Sequence, residues 1–524
     1  MHLMPDAKQI AQIAESMGAT IGEEEAEQYR PHLIELLRVV DQFMQTRTAE
    51  SPPPLLFPDR APGYRPGLAE DRHRAWLWKC DIGGADTGLL AGKTVSFKDH
   101  ISVARIPQVF TSVAMEGFVP AIDATVVTRV LAAGGKVVGK HMMNGFVGDY
   151  GLPVNPHNPA HAPGGSSSGS GAALAAGEVD ISFGGDQGGS VRLPAAHCGI
   201  VGMKPTFGLV SHFGAGFGAE MSVDHIGPMA RRVEDVAAAL EAVAGYDPLD
   251  PRQRREVPEA IDVLTDLDRG VKGLKIGLLR EGFAEPIDPG VAEATQAAVR
   301  VLERAGAEVT WVSVPEHAEA DAVYQTLVLE GQMALFDAGF YGTGYTGYYP
   351  QSTITAIGRL WHDQIDLQSP RSKLNLIGAE LVRRTYRGGA YAKAQNARAG
   401  FMAAFDRALS EVDVLAMPTT RTVAPKLEAP PTDPRQYIED NLGKNWILMP
   451  GAYNTKPTNY TGHPAIAIPC GKVGGLPTSL QLVARHFDDA RLLQASYAFQ
   501  SAVDWDAYTG VEYQGAAESA EAAG

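Results

Sequence analysis

At residues 163–171 the chain reads PGGSSSGSG, with four serines and four glycines in the eight positions after Pro163. A flexible linker has this composition. Here, however, the segment passes at once into AALAAG, a helical run, and then into the strand-like stretch 179–183. The glycines therefore sit inside a folded unit, where they permit unusual dihedrals and close backbone approach. A second loop of the same kind follows at 184–194, GGDQGGSVRLP, reading as a strand end, a Gly-Gly turn and a serine that opens a helix or turn. Any fold for this chain must place two glycine-rich turns at the ends of packed elements.

The elements around those turns alternate. Residues 94–97 and 135–138 read as strands, and 123–133 reads as a helix with Asp123 at its N-cap. Residues 172–176 read as a second helix. Such alternation predicts an α/β fold with a buried sheet. Upstream, Ile10, Ile13 and Met17 recur at helical spacing, and Leu33, Ile34, Leu36, Leu37, Val40, Phe43 and Met44 give a second helix a broad apolar face. Six prolines in residues 51–67 then break regular structure. The expected organisation is a helical segment and linker over 1–66, a main domain over 67–512 and a frayed tail over 513–524.

Composition removes several functions. The 524 residues carry 45 Lys plus Arg against 61 Asp plus Glu, a net charge of −16, which disfavours nucleic-acid binding and docking on anionic membranes. The N-terminus lacks a basic-then-apolar signal layout, and no run of about 18 apolar residues suggests a membrane span. Three cysteines, Cys80, Cys198 and Cys470, fit a reducing compartment, so a cytoplasmic protein is expected.

Motifs that resemble other chemistries fail on detail. TGLLAGKT lacks the glycine that a phosphate-binding loop needs at Thr87. GSSSG at 165–169 is not preceded by the strand a nucleophile elbow requires. Pro159 between His157 and His161 disfavours a helical metal pair, and no HExxH occurs. The second glycine-rich turn fits acyl chemistry. Consecutive backbone N–H groups over GGDQGGS can face one concavity and stabilise a developing oxyanion, with Ser190 beside them as nucleophile or as a simple N-cap. Lys98, at the end of the apolar run VSFKDH, either points to solvent or, if buried, loses its proton readily enough to act as a base.

These residues together resemble the amidase signature family of Ser-Ser-Lys hydrolases. PGGSSSGSGAALAAG followed by GGDQGGSVRLPAAHCGIVGMKPTFGLVS carries the resemblance, with VSFKDH upstream and HIGPMARRVEDV and TGHPAIAIPCG downstream. The resemblance is strong over 91–236 and moderate over 454–493, and is most like bacterial amidases associated with nitrile metabolism. It implies a large mixed sheet flanked by helices. It implies Ser190 as nucleophile, Ser166 as a relay held by a non-proline cis peptide bond, and Lys98 as base, with no cofactor and no metal. It places the oxyanion donors on Gln187, Gly188, Gly189 and Ser190, and supporting roles on Ser167, Asp186 and Arg192, the last two as a bracing ion pair.

Two positions depart from the family's common pattern. Gln187 stands where many members carry Thr or Ile, and His100 where many carry Asn. The Gln187 side chain is a candidate substrate contact; His100 reads more simply as satisfying its loop. Phe146, Tyr150, Tyr341, Tyr345 and Trp446 are candidate pocket aromatics, Phe146 foremost, and lean the substrate toward an aryl or bulky amide. The Gly- and Tyr-rich stretch 338–350 reads as a surface loop or a mobile pocket wall. The expected activity is hydrolysis of a small carboxamide to a carboxylate and ammonia or amine. Alternatives are a carbamate, urea, hydrazide or ester substrate, or the amidase subunit of a tRNA-dependent amidotransferase. By analogy with related amidases, the helical N-terminus is expected to make a homodimer.

Overall fold

The computed structural model describes residues 4–46, 52–144, 151–216, 218–363, 365–367, 370–427 and 450–511. The chain divides into two compact units, Met1–Pro52 and Pro53–Gly524. In the first, helices Ala7–Ser16 and Glu23–Gln45 pair through Ala7, Ile10 and Ala26, with Ile21 and Leu33 against them. Asp6 opens the first helix with a reciprocal cap: its carboxylate accepts the Gln9 N–H at 2.8 Å, and the Gln9 side chain accepts the Asp6 N–H at 3.0 Å. The apolar face read from the sequence is only partly used, since Leu36, Val39, Val40, Phe43 and Met44 remain exposed.

The second unit is built on a mixed sheet. Its strands are β1 (Trp76–Ile82), β2 (Thr94–Lys98), β3 (Lys136–His141), β4 (Ile181–Asp186), β5 (Val201–Lys204), β6 (His225–Ala230), β7 (Lys275–Leu279), β8 (Glu308–Val312), β9 (Val414–Pro418), β10 (Ala465–Val473) and β11 (Leu476–Val483). They lie in the order β1-β3-β2-β4-β6-β5-β10-β11-β9-β7-β8. Two parallel groups, β3-β2-β4 and β9-β7-β8, are joined through antiparallel pairings across β6, β5, β10 and β11.

Alternation along the strands splits the core between the two faces. Ile466 and Ile468 of β10 join one large apolar cluster with helices Thr125–Ala132, Val233–Val243, Pro289–Arg304 and Asp489–Ser501. Ala467, between them, packs instead with Ala172, Ala173, Leu174, Val191 and Ala195, residues around the two glycine-rich turns. Covered on both sides, β4 is buried at every position, Ser182 and Asp186 included.

The helices around the turns differ from the sequence reading in instructive ways. The one expected at 172–176 runs Ser168–Ala175, so it begins inside the serine-glycine motif. The one following Asp123 runs Thr125–Ala132 without a side-chain cap. Asp123 instead accepts the Ala104 N–H at 2.8 Å and pairs with the buried Arg60 guanidinium. An ion pair to a distant segment has displaced the local cap. Among the described residues no helix is long and apolar enough to cross a membrane.

Candidate active site

Strand register brings the three motifs together at the C-terminal ends of β2 and β4. β2 and β4 are parallel neighbours with Phe97 opposite Phe183, and their rings stack at 5.7 Å. Lys98 and the Gly184-Gly185-Asp186 run therefore lie side by side at the ends of β2 and β4. The turn at Gly165-Ser166 comes in against them from the β3 side, where the Asn144 N–H donates to the Ser166 carbonyl at 2.9 Å. The Gly165–Ser166 peptide bond is cis. The Ser167 N–H donates to the Ser190 carbonyl at 3.3 Å, which joins the two glycine-rich turns directly.

Lys98 points inward and is 1 % exposed. Its Nζ lies 2.6 Å from Ser166 Oγ and 3.4 Å from the Gly185 carbonyl. The carboxylate next to it in sequence is not its partner: Asp99 Oδ1 lies 3.0 Å from Lys140 Nζ, and Oδ2 accepts the Val109 N–H. Burial lowers the Lys98 pKa to about 8, with Asp224 and Asp186 acting in the opposite direction. A lysine so placed is neutral in a minor but usable fraction near physiological pH, and in that form can accept a proton from the hydroxyl it touches. Ser166 and Ser190 are partly exposed, so the Lys98–Ser166 pair opens toward solvent on the serine side.

The turn after β4 is held by its carbonyls. Tyr324 Oη donates to the Gln187 carbonyl at 2.6 Å, Thr455 Oγ1 to the Gly188 carbonyl at 2.6 Å, and Asn459 Nδ2 to the Asp186 carbonyl at 2.8 Å. Burial raises the Tyr324 pKa well above that of an ordinary phenol, so the group stays a donor. With its carbonyls tied back, the turn aims N–H groups the other way. Among the described residues the N–H groups of Gln187, Gly188 and Ser190 have no hydrogen-bond acceptor. The Gly189 N–H is already taken by Asp186 Oδ1 at 2.8 Å. Gly189 has φ +131°, and a Cβ there would lie 2.3 Å from Thr455 Oγ1, so glycine is required twice over.

Asp186 and Arg192 form the expected ion pair, both side chains fully buried, with Nε and Nη2 each 3.0 Å from a carboxylate oxygen. The guanidinium's remaining donors reach Thr458, Gln481, Asn459 and the Thr455 carbonyl. Asp186 also accepts the Val191 and Arg192 N–H groups. Burial would push its carboxyl up, but Arg192 and these hydrogen bonds hold it well below the usual range. Ser190 is not an N-cap: helix Arg192–Cys198 starts without a side-chain cap, leaving the Ser190 hydroxyl available. Ser167 is buried, and its Oγ donates to the Gly185 carbonyl at 3.4 Å.

The two departures from the family pattern meet at Gly185. A Cβ on that residue would come within 2.4 Å of His100 Nε2 and 2.8 Å of Gln187 Nε2. The Gln187 amide donates to Asp224 Oδ1 at 2.5 Å, so the structure uses it to bind a buried carboxylate. His212 and the Gly218 N–H share that carboxylate. His100 is 3 % exposed, and both ring nitrogens lack a partner among the described residues; it does not satisfy its loop as the sequence suggested. Burial, and after it the charge of Lys98, keeps the imidazole neutral. Tyr341 is buried among Phe110, Met142 and Phe336, while Tyr345 stacks on Tyr349 at 4.4 Å and donates to the Tyr341 carbonyl at 2.9 Å. Phe146, Tyr150 and Trp446 lie outside the described residues.

Sequence reading missed Tyr324, Asp224, Thr455 and Asn459. Asn459 stands just ahead of the TGHPAIAIPCG block and had that signal. Tyr324 sits in a long helix with no motif around it.

The family model described as Amidase matches residues 69–493. An enantioselective amidase of Rhodococcus rhodochrous is 38 % identical over 477 residues, covering 89 % of each chain. A glutamyl-tRNA(Gln) amidotransferase subunit of Methanococcoides burtonii is 37 % identical, covering 80 % of this chain and 86 % of that one. Among solved structures, the peptide amidase of Stenotrophomonas maltophilia superposes with a TM-score of 0.62 at 28 % identity, covering 79 % of this chain and 83 % of that one. A match across the whole Lys98–Ser166–Ser190 region and on to the downstream block leaves one conclusion: the chain belongs to the amidase family.

Proposed function

We propose that the protein is an amidohydrolase that cleaves a small carboxamide to a carboxylate and ammonia or amine. The observation that carries this reading is the buried Lys98 Nζ, 2.6 Å from Ser166 Oγ and, among the described residues, without a carboxylate in ion-pair contact. Neutral Lys98 takes the Ser166 proton as Ser166 takes that of Ser190, whose oxygen attacks the amide carbon. The resulting oxyanion is held by the N–H groups of Gln187, Gly188 and Ser190. The proton returns through Ser166 to the leaving nitrogen, and water repeats the sequence on the acyl-enzyme.

A second reading, the amidase subunit of a tRNA-dependent amidotransferase, is favoured by the similarity to the Methanococcoides burtonii protein. A stable second subunit copurifying with the native protein would support it. Three free cysteines suit a reducing cytoplasm. The exposed apolar face of helix Glu23–Gln45 suits a homodimer contact. The test is a panel of acetamide, benzamide, an anilide, a carbamate and an ester with wild type and Ser190→Ala. Turnover is expected for amides and to fall by roughly 10⁴-fold or more in the variant. Equal turnover in both would remove Ser190 as nucleophile.

A further inference from the structure

Three segments far apart in sequence converge around Thr461. Asp406 lies on helix Gly389–Glu411, His463 just before β10 and His486 just after β11. One ligand-capable atom from each lies within 4.8 Å of the other two. We propose that Asp406, His463 and His486 form a binding site for a divalent transition metal ion, Zn²⁺ by preference, which pins the helix to the strand ends.

The hydrogen bonds around the histidines carry the argument. A ligating histidine characteristically passes its other ring N–H to a hydroxyl, carbonyl or carboxylate, which fixes tautomer and orientation. With the ion bound, Thr461 supplies an acceptor to each ring. His463 Nδ1 lies 2.9 Å from Thr461 Oγ1, and His486 Nε2 lies 3.0 Å from the Thr461 carbonyl. The tautomers that donate to Thr461 leave lone pairs on His463 Nε2 and His486 Nδ1. His463 Nε2 is already 3.0 Å from Asp406 Oδ1. The rings of His463 and His486 lie 4.0 Å apart, centroid to centroid.

Two imidazoles and one carboxylate suit Zn²⁺ in a four-coordinate site, with a solvent molecule as fourth ligand. Tetrahedral bonds of about 2.0–2.2 Å separate ligand atoms by roughly 3.3 Å, so the widest pair must close by roughly 1.5 Å. The Asp406 side chain is 54 % exposed and can rotate toward the ion. The same exposure gives the ion its route in. Binding moves no net proton: the hydrogen between His463 and Asp406 transfers to His463 Nδ1, where Thr461 Oγ1 accepts it. None of these residues belongs to the Lys98–Ser166–Ser190 machinery, so the proposal stands independently of the hydrolytic reading.

The test uses the full chain stripped with EDTA and then dialysed. Titration with Zn²⁺ by calorimetry is expected to give one saturable site per chain. Co²⁺ in its place is expected to show the visible absorption of a four-coordinate ion, and added Zn²⁺ to raise the melting temperature. Asp406→Asn and His486→Gln are each expected to weaken Zn²⁺ binding at least about tenfold, and Thr461→Val by about 10–100-fold as the loss of an orienting partner. Circular dichroism without metal checks that each variant is folded; should one fail, wild-type stoichiometry and the Co²⁺ spectrum still decide. No saturable site in wild type, or affinity unchanged in both ligand variants, overturns the proposal. Stripped protein is expected to keep its initial rate of amide cleavage. A rate lost on stripping and restored by Zn²⁺ would count against the metal-free hydrolytic mechanism while leaving the site itself intact.

Discussion

Raising the pH should activate the enzyme over a window set by the burial of Lys98. In water its ammonium would lose its proton near the ordinary lysine value of 10.5, whereas in the fold it does so at about 8. With that value, roughly 1 % of the protein carries the neutral base at pH 6, roughly 9 % at pH 7 and half at pH 8. Accordingly kcat/KM should climb about tenfold from pH 6 to 7, about fivefold from 7 to 8, and level off above roughly pH 9. The assay is initial-rate hydrolysis of an accepted amide from pH 5.5 to 10 at constant ionic strength. Asp224 and Asp186 oppose the downward shift, so Asp224→Asn should move the ascending limb to lower pH even though it also frees Gln187 and reduces the plateau. A profile flat from pH 6 to 9, or one still climbing tenfold per unit at pH 9.5, would refute a buried lysine base. So would a limb that moves to higher pH in Asp224→Asn.

Further outcomes follow from the same contacts. Lys98→Met should abolish turnover while leaving the melting temperature at pH 7 unchanged or raised, because it removes an amine whose charged form is penalised by burial. The lowered pKa makes the sign definite: above about pH 8 and up to 10.5 the unfolded chain binds the extra proton, so wild-type stability should gain from rising pH there, and the variant should lack that gain. Arg192→Met leaves the Asp186 carboxylate buried without its partner and should cost about 3–5 kcal/mol in urea unfolding, or prevent soluble expression. Tyr324→Phe removes the donor to the Gln187 carbonyl; kcat should drop roughly 10–100-fold with KM little changed, read by steady-state kinetics with circular dichroism as the folding control.

Much of the site was legible because its residues are local to unusual sequence. Two serine-glycine turns that each lead directly into a packed element admit few structural roles, and the Asp186–Arg192 brace spans only six residues. The helical face at residues 33–44 was legible as periodicity, but periodicity cannot say what covers it, and Leu36, Val39, Val40, Phe43 and Met44 remain exposed. Asp123 shows the opposite failure. It stood where a helix cap belongs, yet Arg60, 63 residues away, took its carboxylate. His100 and Gln187 were visible as departures, but neither the Asp224 partner of Gln187 nor the unpartnered burial of the His100 ring was.

The sequence by itself determined that a lysine and two serines lie at element ends within one α/β unit, since glycine spacing and strand–helix alternation are local properties. Only the tertiary structure decided that Lys98 is dry. Its pKa depends on what excludes water around it and on Asp99 being drawn to Lys140, neither of which is written next to it in the chain. It also decided which N–H groups are free, because the carbonyls that orient them are held by Tyr324, Thr455 and Asn459, more than 130 residues downstream.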